Sequence, residues 1–395
     1  MRHYASMQTG GDVKSSFVGA GLYRHFVPSV VDTLIQRGEF LTAYTPYQPE
    51  VAQGTLQAVF EFQTIVAELF GMDIANASLY DGASGTAEAA LMALRLGKKR
   101  NRLLLSEGLH PEYRQVVETY LGSVDSTVET ISLKDGRVDQ GQLADALGED
   151  VAGVIVQSPN CLGIVEDLAE LGAAIHKSSA KFITVCNSPA ALALLKSHGE
   201  CGADIAVGEG TGIGVPPQFG GPGVGLFAVK KEYLRQMPGR LCGQAVDADG
   251  NEGYVLTLST REQHIRREKA TSNICTNQGL MALAFTVHAA LLGKTGIKEL
   301  ATQCAQRARY LEQALASKGI MRRHSGAPYV NEFIVELGDK VEDAVRLGVQ
   351  RKIAVGFDLG RWNPNWQGGL MICVNELQSK GAMDELVSLL EEVVS

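Results

Sequence analysis

Between residues 78 and 230 the apolar positions follow two alternating rhythms. Short strand-like runs, several of them continuously apolar, predict strands at Arg102–Leu105, Val128–Leu133, Gly153–Gln157, Phe182–Cys186, Ile205–Val207 and Gly225–Val229. Runs without strict alternation suit strands covered on both faces. Between them, apolar residues spaced three or four apart predict helices at Thr86–Leu96, Pro111–Leu121, Gln140–Leu147, Leu168–Ser178 and Ala190–His198, with Asp139 a natural N-cap for the third. Strand and helix in regular alternation imply a mostly parallel sheet with helices on both faces, an α/β architecture.

The flanks read differently. Residues 1–16 are polar and glycine-containing, the pattern of a loose arm, and Phe17–Pro49 is rich in Gly, Tyr and Pro. A short helix is expected over Pro28–Arg37, because proline suits a first helical turn where its missing N–H costs nothing. Gln53–Leu69 has helical spacing and ends near Gly71, a plausible C-cap. After a long helical stretch over 278–318, strands at Glu332–Leu337 and Leu370–Val374 alternate with helices at Val341–Arg351 and Ala382–Val394. The organisation expected is an N-terminal arm and interface segment (1–55), a large α/β domain (56–295) and a small C-terminal α/β domain (296–395).

Composition narrows the function classes. The chain of 395 residues is 45% hydrophobic and 20% charged, enough to fill a sizeable core. A formal charge of −8 argues against a phosphate-backbone binder. The basic runs Lys98-Lys99-Arg100 and Arg266-Arg267 are short enough to be solvated helix ends. Seven cysteines without a Cys-x-x-Cys pair fit a reducing cytoplasm better than a disulfide framework or zinc site. The first 16 residues lack the apolar core of a signal peptide. Met281–Leu292, interrupted by Thr286 and His288, falls short of the roughly 18 apolar residues of a membrane span and is expected to be a buried helix.

Four segments carry candidate chemistry. Asp81–Thr86 places Ser84, Gly85 and Thr86 at a helix start, which suits either a phosphate-binding loop or a plain N-cap by Ser84 or Thr86. Tyr44–Glu50 (YTPYQPE) is a stiff extended stretch whose tyrosines could face a ligand, a neighbouring chain or their own subunit. Arg261–Cys275 passes from dense charge to small polar residues, with Lys269 and Asn273 as candidate contacts; an exposed helix with internal ion pairs is the alternative. Gly208–Gly225 (GEGTGIGVPPQFGGPGVG) is a glycine-rich turn after a predicted strand, and it contains no lysine. The histidines show no metal-ligand spacing, and neither nucleotide-binding glycine motif occurs where it would have to.

Together with Ser16–Gly21 and Met72–Ser78, these stretches resemble the glycine decarboxylase P-protein of the glycine cleavage system, specifically subunit 1 (alpha) of the two-chain bacterial form. TAYTPYQPE and REKATSNIC are its most specific elements, and the resemblance runs from about residue 16 to the C-terminus. It implies the aspartate-aminotransferase-like fold of pyridoxal-phosphate (PLP) enzymes, fold type I. It further implies a glycine-decarboxylating enzyme whose aminomethyl product passes to the lipoyl arm of the H-protein. The implied assembly is α2β2, cytoplasmic, with PLP held mainly by the beta subunit. Against the catalytic subunit's pattern, Thr211 stands at the lysine position, Gly210 replaces the preceding histidine, and no acid lies near Cys186–Pro189 to partner the pyridine nitrogen. The start also lies closer to the SFVGAG stretch than is usual in the family. On this reading no catalytic residue or metal belongs to this chain alone. Tyr44, Tyr47, Gln48 and Glu50, with Lys269 and Asn273, are expected to face the partner's site, and Ser84, Gly85 and Thr86 to form a vestigial phosphate loop. A self-sufficient PLP enzyme using another lysine, or a purely structural subunit, are the alternatives.

Overall fold

In the computed structural model the described residues are 13–218, 220–258 and 270–395. They form two compact units. The larger comprises Val27–Asn160 and Glu166–Lys298, and the smaller the described residues through Phe26, Cys161–Val165 and Glu299–Ser395. The stretch 1–55, expected as one arm, is therefore shared between the units.

The larger unit begins with α1 (Ser29–Ile35), which Pro28 immediately precedes instead of standing in its first turn, and α2 (Gln53–Phe70), which stops at Gly71 in the left-handed conformation (φ 64°). Its sheet has seven strands: β1 (Ile74–Ala75), β2 (Arg102–Ser106), β3 (Thr127–Ile131), β4 (Val151–Gln157), β5 (Lys181–Cys186), β6 (Ile205–Glu209) and β7 (Gly225–Val229). Their order is β1-β7-β6-β5-β4-β2-β3. From β6 to β3 the strands are parallel, and β7 runs antiparallel to both neighbours. Alternate residues feed two cores. Leu103, Leu105, Ile183 and Val185 face one side with α3 (Gly82–Gly97) and α4 (Pro111–Leu121). Leu104, Val154, Val156 and Phe182 face the other with α5 (Gln140–Ala146) and α6 (Leu168–Ile175). Both faces are covered, which is why the strands read as unbroken apolar runs.

Several local expectations are corrected. Helix α3 starts at Gly82 rather than Thr86, because Asp81 is its cap. The Asp81 carboxylate accepts from Ser84 N (2.7 Å), and the Ser84 hydroxyl oxygen accepts from Asp81 N (3.2 Å). The helix expected at Ala190–His198 is only a 3-10 turn, Pro189–Ala193. Glu200 captures the Ser197 N–H and hydroxyl, and Gly199 N bonds to Phe70 O, so the backbone is committed elsewhere. A hairpin, β8 (Leu241–Val246) and β9 (Glu252–Thr257), was not anticipated, although its Asp-Gly-Asn turn within an alternating run is a recognisable signal.

Helix α7 (Gly279–Ala316) breaks at Gly293 (φ 57°), and its first half buries Ala282, Ala284, Phe285 and His288. By length and composition it could cross a membrane; within the fold, Phe285 packs edge-on against Phe62 of α2.

The smaller unit holds an antiparallel sheet of β10 (Glu332–Glu336), β11 (Phe357–Asp358) and β12 (Gly369–Cys373), with β12 central, packed with α8 (Val341–Arg351) and α9 (Lys380–Val394). Residues 14–16, expected within a loose arm, are held against residues 352–354. Ser15–Ser16 pair with Ile353–Ala354, and Phe17 is fully buried. Glu332 is buried beneath this segment, accepting from Ala20 N (2.7 Å) and the Tyr23 hydroxyl (2.8 Å), and burial pushes its carboxyl up to about 7.

Candidate functional site

Strand β6 ends beside the start of α3, at the carboxyl end of the parallel strands, where this kind of sheet places its ligand crevice. The glycine turn and the Asp81–Thr86 stretch meet there.

At the glycine turn, β6 ends on Glu209, whose side chain folds back over the N-terminus of α3. It is 5% exposed. One carboxylate oxygen accepts from Gly82 N (2.8 Å). The other accepts from Thr211 N (3.0 Å), the Thr211 hydroxyl (2.5 Å) and Val224 N (3.1 Å). Burial pushes this carboxyl above its ordinary range, while those same donors pull it back. The approach is close everywhere. A Cβ on Gly82 would collide with the Tyr113 hydroxyl, and one on Gly85 would lie 2.8 Å from Val207 Cγ1. The expected phosphate loop is likewise spent internally: the Ser84 hydroxyl is in the Asp81 capping box, and the Thr86 hydroxyl donates to Gly82 O (2.8 Å).

These residues do not fit PLP. Two carboxylates, Asp81 and Glu209, already take the donors that would receive a phosphate dianion. Thr211, at the expected lysine position, spends its hydroxyl on Glu209. At the end of β5, Asn187 is buried and its amide finds no partner among the described residues; it carries no charge for a pyridinium.

The second region joins Tyr44–Glu50 to residues 275–278. Thr45 donates its hydroxyl to Asn277 Oδ1, and Asn277 Nδ2 donates to Ala77 O (2.6 Å) and the Ser78 hydroxyl (3.3 Å). Ser78 has a positive φ of 94° and is fully buried, so the strain is held by surrounding bonds, including Gln278 N to its hydroxyl (3.1 Å). Tyr47 does not point away from its own chain. Its ring is half-buried, and its hydroxyl accepts from Arg240 Nε (3.1 Å) and donates to Cys275 O (3.4 Å). By contrast Tyr44 is 66% exposed, and Gln48 and Glu50 are exposed on either side of Pro49. A shallow groove beside them is lined by Phe40, Thr42, Tyr44, Pro46, Ala58 and Leu283. Asn273 is exposed in the loop before Ile274, and Lys269 lies outside the described residues.

Sequence reasoning missed Glu209 and Arg240. Glu209 had a signal, being the one charged residue in the glycine turn. Arg240 had none.

The architecture is that of the PLP-transferase fold. A solved sphingosine-1-phosphate lyase from Burkholderia pseudomallei superposes with a TM-score of 0.71 over 100% of this chain and 89% of its own, at 15% identity. A crystal structure of glycine decarboxylase (P-protein) of the glycine cleavage system, in inhibitor-bound form, matches with a TM-score of 0.92 and 42% identity, covering 99% of this chain and 87% of that one. The family model for the glycine cleavage system P-protein matches residues 1–390, and the chain belongs to that family. It is similar to probable glycine dehydrogenase (decarboxylating) subunit 1 from Rhodospirillum centenum (51% identical over 98% of this chain and 86% of the relative). It is also similar to the protein of that name from Anoxybacillus flavithermus (48%, over 94% and 83%).

Proposed function

We propose that this chain is the cofactor-free alpha subunit of a glycine-decarboxylating P-protein, working in the cytoplasm in an α2β2 assembly with a homologous PLP-bearing subunit. The observation that carries this reading is the Glu209 carboxylate seated on the α3 N-terminus, where a PLP enzyme of this fold needs room for a phosphate. The alpha-subunit role in glycine decarboxylation follows from family membership and from the subunit-1 relatives.

In the assembly, PLP held by the partner would act as electron sink when glycine loses CO2. The aminomethyl group then passes to the lipoyl disulfide of an H-protein. This chain's part is positional. The Tyr44–Glu50 segment presents Tyr44, Gln48 and Glu50 outward from a rigid base, and Asn273 and Lys269 are assigned the same partner-facing role. Hydroxyl, amide and carboxylate groups there suit orienting a small zwitterion or a lipoyl arm, and correct orientation alone is worth large rate factors.

The test is reconstitution. The chain alone with PLP is expected to give no borohydride-fixed adduct and no glycine–bicarbonate exchange; with its partner subunit and H-protein, exchange is expected. A stoichiometric adduct on the lone chain would overturn the reading in favour of a self-sufficient PLP enzyme. Full exchange by partner and H-protein without this chain would leave it a structural role only.

A further inference from the structure

Arg240 follows Gly239 at the entry to β8 and is 6% exposed. Among the described residues its guanidinium reaches two segments remote from it in sequence. Nε donates to the Tyr47 hydroxyl (3.1 Å), and Nη2 donates to the Cys275 carbonyl (3.1 Å), which also accepts from Tyr47. The guanidinium carbon lies 5.6 Å from the centroid of the Tyr47 ring. The backbone is tied as well. Arg240 O accepts from Ala77 N (2.8 Å), and Cys275 N donates to the Tyr80 hydroxyl (3.1 Å). One buried cation thus joins the YTPYQPE segment, the loop before α7 and the approach to α3.

We propose that Arg240 is a positioning residue for glycine decarboxylation, holding the Tyr44–Glu50 segment in the orientation that presents Tyr44, Gln48 and Glu50 to the shared site. This rests on the reading of that segment given above. The planar fork of arginine fixes two acceptors at set angles, which the single ammonium of lysine cannot do. Tyr47 is the contact through which the fork acts. Two prolines flank it, so a change in its setting is transmitted along a stiff chain instead of being absorbed by neighbouring torsions. The Thr45–Asn277 bond pins the same segment two residues earlier, leaving Arg240 to fix its rotation about that point.

The experiment uses the assembled enzyme with H-protein and compares R240A, R240K, Y47F, Y44A and E50A. R240A is expected to lose on the order of 100-fold in kcat/KM, the scale of a misplaced site. R240K should fall between, and R240A with Y47F should lose no more than R240A alone. Added methylguanidinium should restore part of the activity of R240A and none of that of Y47F. R240K keeps the test open should R240A fail to fold. If Y44A and E50A are impaired while R240A and R240K match wild type in kcat and KM, this inference alone is overturned. It is also overturned by a loss that tracks only the folded fraction, adds to that of Y47F and resists rescue. If Y44A and E50A match wild type, the reading of the segment itself fails.

Discussion

The glycine turn and the Tyr44–Glu50 segment are both irregular backbone in the larger unit, one following β6 and the other packed with α2 and the β8–β9 hairpin, and their polar groups are used in opposite ways. At the turn, donors around the start of α3 close on the chain's own carboxylates: Gly82 N, Thr211 and Val224 N on Glu209, and Ser84 N on Asp81. At the segment, Thr45 and Tyr47 are tied inward, while the side chains of Tyr44, Gln48 and Glu50 are exposed. A buried turn is stable when it satisfies itself, because buried donors without acceptors are costly. An exposed segment can leave its polar side chains to solvent while its base is held. Satisfaction of hydrogen bonds, more than residue type, separates the two.

The comparison breaks most visibly at Glu209. Glu209→Ala leaves four donors facing a cavity and should cost about 3–5 kcal/mol in chemical denaturation. A loss under about 1 kcal/mol would mean that water replaces the carboxylate easily and that the site is not closed in the sense argued above. Thr211→Lys alone should not create a PLP-binding lysine, since Glu209 still holds the phosphate position; a borohydride-fixed adduct in that variant would show the cradle to be open.

A smaller effect is expected from Glu332 beneath the N-terminal segment. Its carboxyl titrates near pH 7 when folded and near the ordinary 4.5 when unfolded. The folded state therefore binds the extra proton between these values, and stability should fall as pH rises from about 4.5 to 7, by on the order of 1–3 kcal/mol. Glu332→Gln should flatten that part of the profile in denaturation curves taken across the range.

Smallest is the effect on folding at the exposed segment. Tyr44→Ala and Glu50→Ala should shift stability by no more than about 0.5 kcal/mol, as surface changes do, while lowering turnover of the assembled enzyme. Destabilisation comparable to that of Glu209→Ala would place these side chains in the fold's own support.

The layout of the large sheet was legible because periodicity reports burial directly. Leu103, Leu104 and Leu105 can all be apolar only where both faces of a strand are covered, and the structure puts them in two different cores. Caps were partly legible. Asp139 and Gly71 act as expected, whereas Asp81 displaced Ser84 and Thr86 because its carboxylate reaches Ser84 N from an extended backbone. Ala190–His198 looked helical from its alanines and leucines, but the neighbouring Glu200 carboxylate takes Ser197, and Phe70 O, distant in sequence, takes Gly199 N just beyond. The motif residues were visible as types, and their orientation was not: nothing in YTPYQPE says that Tyr47 turns inward and Tyr44 outward.

By itself the sequence determined the α/β order of elements, the family, and the absence of lysine from the glycine turn, because these depend on residue identity and on spacing within a few turns of chain. Tertiary structure alone decided that Glu209 closes over the start of α3 and that Arg240 gathers residues 47 and 275. Both depend on distances between groups tens to hundreds of residues apart, and only the closed fold brings such groups within reach of a hydrogen bond.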